Sequence, residues 1–179
     1  MKKLLTLIAL GLVIGCTPQE QQNQGSSASM IQAKGQSAVN DPDSDPNLLG
    51  IALGSKDHST LVVAAQAAAI EDVLVNAGPI TLFAPTNAGF DKVPKETLDF
   101  LLKPENQGDL KNILYYHAAP GKYSLEDLRK EKSLYQANGG FVDITMEGDK
   151  VFANGSEIIA SVEASNGFVH VVNDVLLPK

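Results

Sequence analysis

Four turn signals in the last third of the chain, Asn138-Gly139, Gly148-Asp149, Asn154-Gly155 and Asn166-Gly167, cut it into pieces short enough for hairpin strands and little else. Asn-Gly is the strongest of them, because both residues tolerate the positive φ of a tight hairpin turn. The intervening segments read as strands over 141–147, 151–153, 156–162 and 168–177. In the first, Val142, Ile144 and Met146 alternate with Asp143, Thr145 and Glu147, which predicts one buried and one wet face.

Before Leu134 the apolar spacing is helical. Residues 47–54 predict a short opening helix. A longer one follows Ser59 and Thr60, either of which can cap it, with Leu61, Val62, Ala65, Ala69, Val73 and Leu74 on one face. Asn76-Ala77-Gly78-Pro79 ends it. Residues 80–84 form a buried strand that Pro85 stops. Pro94 opens a helix carrying Leu98, Leu101 and Leu102, and a further helix turns Leu110, Ile113 and Leu114 inward. Tyr115-Tyr116-His117-Ala118-Ala119 reads as a strand ending at Pro120-Gly121, and Ser124 with Asp127 forms a capping box. Helices first and hairpins second predict an α+β fold.

Residues 17–47 differ from both halves. They are rich in Gln, Ser, Gly and Pro, with Met30, Ile31 and Val39 as the only large apolar residues. So little apolar surface cannot offset the entropy of ordering a backbone, which predicts a disordered tether spanning roughly 30 Å. Asp41, Asp43 and Asp45 alternate as in a calcium loop, but the sixth position is Pro46 and the twelfth Ala52, where such a loop needs Gly and Glu. They make an acidic spacer.

Ahead of the tether, Lys2 and Lys3 precede an apolar or small run over 4–15, the form of a secretory signal and too short to span a bilayer. Val13-Ile14-Gly15-Cys16 resembles the bacterial lipoprotein cleavage box, which implies removal of residues 1–15 and lipidation of Cys16, the only cysteine. More than one acyl chain gives stable membrane attachment. Thr17 stands where an inner-membrane retention signal has Asp, so the expected location is the cell envelope, at the outer membrane if there are two.

The net charge of −7, from 14 Lys and Arg against 21 Asp and Glu, argues against nucleic-acid binding. A single cysteine excludes a disulfide framework and any multi-thiolate zinc site.

Residues 81–90 (TLFAPTNAGF), Tyr115-Tyr116-His117 with Pro120-Gly121, and residues 165–178 (SNGFVHVVNDVLLP) occur in an order and spacing that resemble a fasciclin domain. The resemblance covers about 47–178, and we take residues 47–179 as that domain and 16–46 as the lipidated cysteine with its tether. One departure is Asn173, at a position more often Asp, which keeps the hydrogen-bonding shape and loses the charge. The resemblance implies a wedge-like β-sandwich with helices along it, a role in adhesion or surface binding, an extracellular protein or polysaccharide partner, and neither catalysis nor a cofactor. In animal members the tyrosine–histidine segment is tied to partner recognition, which carries over to Tyr116 and His117.

Weighed as chemistry, the remaining residues offer little. His117 and His170 sit among apolar neighbours, where a packed ring bonded to backbone is the plainer expectation, and His58 in a polar turn is expected to be solvated. No His-Glu-x-x-His or Gly-x-Ser-x-Gly occurs, and Gly54-Ser55-Lys56 lacks phosphate-loop spacing. Carboxylates are plentiful, and a pair such as Asp143 and Glu147 could converge by chance on one sheet face, but a glycosidase needs such a pair at a defined separation around a cleft. Thr86 and Asn87 are expected to satisfy backbone groups after the first strand. An envelope protein binding a small apolar ligand or a glycan is the alternative to adhesion.

Overall fold

The structure, a computed structural model, describes residues 45–76 and 78–178. The leader, Cys16 and the tether as far as residue 44 lie outside the described residues. Asn47 caps α1 (Leu48–Gly54) by accepting from Gly50 N–H at 2.9 Å. A 3-10 turn, Lys56–His58, leads into α2 (Ser59–Ala67). Neither Ser59 nor Thr60 caps α2; instead the Asn87 side chain reaches in to accept from Thr60 N–H at 3.0 Å.

The predicted long helix is broken. Ala69 takes a left-handed φ of 50°, and α3 (Glu71–Asn76) starts afresh. Ala69 N–H donates to Gln66 O and Ile70 N–H to Ala65 O, the paired bonds that close a helix end around a left-handed residue. Glycine is the usual residue there; alanine is tolerated because the break buries Ile70 among Leu49, Ala65 and Leu74.

Then come β1 (Ile80–Pro85), α4 (Asn87–Phe90), α5 (Lys95–Leu101), a 3-10 turn at Pro104–Asn106, α6 (Gln107–Tyr116), β2 (Ala118–Pro120) and α7 (Leu125–Leu128). The expected strand over 115–119 is a correction: Tyr115 and Tyr116 finish α6, and only Ala118–Pro120 is extended. The hairpin half is β3 (Ser133–Tyr135), β4 (Phe141–Glu147), β5 (Lys150–Ala153), β6 (Ser156–Ala164) and β7 (Gly167–Val172), so the last strand stops five residues earlier than expected. The Ser124–Asp127 capping box forms, and Asn154-Gly155 turns with φ of 48° and 83°.

The strands run β2-β1-β7-β6-β5-β4-β3 as one seven-stranded order. Every pairing is antiparallel except β1 with β7. Strand β1 is apolar apart from Thr81, whose buried hydroxyl donates to Gly121 O at 2.9 Å and accepts from Tyr123 N–H at 2.9 Å, because both its faces are covered. Leu82 and Ala84 join the helices in one core cluster, while Phe83 joins Val142, Val151 and Ile158 in a second. Phe83 therefore shares a core with β4, β5 and β6. On β4, Val142 and Ile144 are buried as the alternation predicts, but Met146 is exposed near the strand's end.

Candidate functional site

Helix α6 carries Leu110, Ile113 and Leu114 on one side, and His117 follows as its C-terminal cap residue. Helix α5 brings Leu98 and Leu101 towards that side, with Leu102 just beyond its end, yet no residue of α5 is buried. Between them lies a cleft of about 300 Å³ whose wall is nearly all carbon. Its floor is Leu61, Ala64, Leu110, Leu114 and His117, all buried, and its rim is Phe100, Leu177, Thr97 and Asp109, all exposed. That volume sits at the lower end of the range for small-molecule sites.

His117 at the floor is spent on the fold. Its Nε2 accepts from Leu176 N–H at 2.9 Å, so the ring proton is on Nδ1, which donates to Ile113 O at 2.8 Å. Burial lowers its pKa to about 4, against a small upward pull from the Ile113 carbonyl. Tyr116 is equally committed: its hydroxyl donates to Phe141 O at 2.7 Å and accepts from Asn154 Nδ2 at 2.8 Å. Both residues are 2% exposed, Tyr116 within the second core cluster and His117 at the floor of the cleft. Tyr116→Phe removes both hydroxyl bonds and is expected to destabilise the fold by about 1–3 kcal/mol, read from urea unfolding.

The other histidines are also internal. His170 Nε2 donates to Tyr123 O at 2.9 Å, and its Nδ1 accepts from the Ser161 hydroxyl at 2.7 Å. His58 corrects the expectation of a solvated turn residue: it is buried, with Nδ1 2.8 Å from Ser55 Oγ and no hydrogen bond formed at Nε2. Burial lowers its pKa, opposed by Asp57 and by the nearby Ala84 backbone. Nothing in the polar run Ser55-Lys56-Asp57-His58-Ser59 marked that burial, which depends on residues distant in sequence, the Ala84 backbone among them.

Thr86 caps α4 through Gly89 N–H, and Asn87 donates to Lys56 O and Ser59 Oγ, the backbone-satisfying roles expected of both. Asp143 and Glu147 lie exposed on β4, four residues and so roughly 13 Å apart along the strand, too far to act together on one glycosidic bond. Asn173 enters the fold through its backbone, donating to Glu157 O at 3.2 Å. Among the described residues, no three His, Cys, Asp or Glu gather to hold a metal, and no helix is long and apolar enough to cross a membrane.

Comparison with known proteins decides the family. The Fasciclin domain model matches residues 56–178. The chain belongs to the Fasciclin domain family. Protein sll1483 of Synechocystis is 36% identical over 175 residues, covering 97% of this chain and 92% of that one. The pig transforming growth factor-beta-induced protein ig-h3 is 33% identical over 122 residues, 66% of this chain and 17% of its own. A pair of FAS1 domains from the insect cell adhesion molecule fasciclin I superposes with a TM-score of 0.66 at 21% identity, over 74% of this chain and 51% of that one. The α+β architecture is thus that of a Fasciclin domain. The cleft beside α5 was not legible in the sequence. The leucines of α5 and α6 could be assigned to inner faces, but the gap left between them depends on how the two helices dock.

Proposed function

We propose that this Fasciclin domain protein is a lipid-anchored, extracytoplasmic binding module acting in cell adhesion or surface contact, and that it is not an enzyme. The observation carrying this reading is the family match over 56–178, supported by the likeness in fold to a protein described as a cell adhesion molecule. Lipid on Cys16, left at the front once residues 1–15 are removed, would provide the anchor, and the Gln- and Ser-rich segment behind it would provide reach. Many tethered copies on one cell would sum individually weak contacts to an extracellular protein or polysaccharide. Deleting residues 47–179 is expected to reduce attachment or aggregation of the cells that make the protein; unchanged attachment under every condition sinks the proposal. Cys16→Ser is expected to move the protein from the membrane to the soluble fraction, measured by fractionation and by incorporation of labelled fatty acid.

The cleft favours a second reading, an envelope protein that binds a small ligand. A carbon-lined wall suits an apolar body and offers a glycan almost no hydrogen bonds. Native mass spectrometry of the protein taken from its own envelope is expected to show an extra mass on this reading, and a bare chain in every preparation counts against it.

A further inference from the structure

We propose that the α5–α6 cleft selects molecules with a hydrocarbon body and one terminal hydroxyl or ammonium group, and that it discriminates against carboxylates. This rests on the reading of the cleft as a ligand site and adds the chemistry of the ligand. The floor sets the body. Leu61, Ala64, Leu110 and Leu114 present only carbon, and both nitrogens of His117 are already bonded, to Ile113 O and Leu176 N–H. A polar group pushed to that depth would lose its water and find no partner, at a cost no aliphatic wall returns. An aliphatic cavity of about 150 Å³ already takes up benzene. One of about 300 Å³ has space for a larger body.

The rim sets the head group. Of the lining residues only Thr97 and Asp109 carry hydrogen-bonding groups not shown committed to the fold, and both are exposed. Asp109 is the sole charged residue of the lining, so a ligand's polar end emerges beside a carboxylate with no lining cation to balance it. A hydroxyl can donate to that carboxylate and an ammonium can pair with it, whereas a fatty-acid carboxylate meets a like charge. Phe100 and Leu177, both about half exposed, cover the first carbons behind the head.

The test uses the full chain and four probes of one chain length: octane, 1-octanol, octylammonium and octanoate, followed by the methyl resonances of Ile113 and Leu114. Octanol and octylammonium are expected to shift these methyls saturably. Octylammonium should bind about two- to tenfold more tightly than octanoate at low salt, with the gap closing as salt is raised. Asp109→Asn, at an exposed position, should abolish the gap and leave octane binding unchanged. If all four probes bind with no preference, or octanoate binds best, the head-group assignment is overturned while the ligand-site reading stands. If no probe shifts the methyls, both fall. If Asp109→Asn keeps the preference intact, the assignment of Asp109 is overturned.

Discussion

Replacing Gly167 with alanine is expected to cost on the order of 4 kcal/mol or more, well above the usual effect of a single substitution. Gly167 sits opposite Ile80 at the start of the parallel β1–β7 pair, and a Cβ there would stand 1.7 Å from the Ile80 carbonyl oxygen. The backbone cannot retreat, because the residue before it is tied on several sides. Asn166 O accepts from Ile80 N–H at 3.0 Å, its Oδ1 accepts from Leu48 N–H at 2.9 Å, and its Nδ2 donates to Leu74 O at 2.8 Å. These bonds join α1, α3 and β1 to the turn that opens β7, so a clash there strains all of them. Gly155→Ala is the control: nothing lies within 4 Å of its Cβ, and only its φ of 83° opposes the change, at about 1 kcal/mol. Urea unfolding of both variants checks the contrast, and a Gly167→Ala protein as stable as the Gly155→Ala one would refute it.

Acid is expected to weaken the fold through its buried histidines, with His117 leading. Its pKa falls from 6.5 to about 4 on folding because the ring is desolvated. Between those values the unfolded chain binds the extra proton and the folded chain does not, so stability is full well above pH 6.5 and falls as pH drops towards 4. By linkage His117 alone makes the protein about 2 kcal/mol less stable at pH 5 than at pH 7. His58 and His170 are shifted down by burial as well and act in the same direction. Protonating Nε2 of His117 also sets an N–H against the Leu176 N–H it now accepts from, so the flanking Val175 and Leu177, which help to wall the cleft, should loosen with it. Unfolding curves from pH 7 to 4.5 test the slope. A His117 ring that titrates above pH 6 in the folded protein would contradict it.

Much of this fold could be read from local chemistry. The capping box of Ser124 and Asp127 and the turn at Asn154-Gly155 depend on neighbours in sequence and form as expected, and the strand read over 80–84 forms too, one residue longer because Pro85 also pairs with β7. Errors gathered where distant packing overrides local preference. Ala69 breaks a helix with neither Gly nor Pro at hand because Ile70 is drawn into the core. Tyr115 and Tyr116 favour strands as residue types, yet α6 continues through them and His117 closes it by donating to Ile113 O. The expectation that Tyr116 and His117 recognise a partner rests on family likeness, whereas their burial depends on Phe141, Asn154 and Leu176, all distant in sequence. Residues that build the cleft were visible as leucines at helical spacing, but their incomplete contact was not.

The parallel pairing of β1 with β7 joins one of the earlier segments of the described chain to its final strand. Delivered amino end first, from a ribosome or through a pore, the polypeptide exposes β1 long before Gly167–Val172 arrives to cover one of its edges. One edge of β1 therefore stays unpaired until the final strand is made, and the sheet cannot close before then.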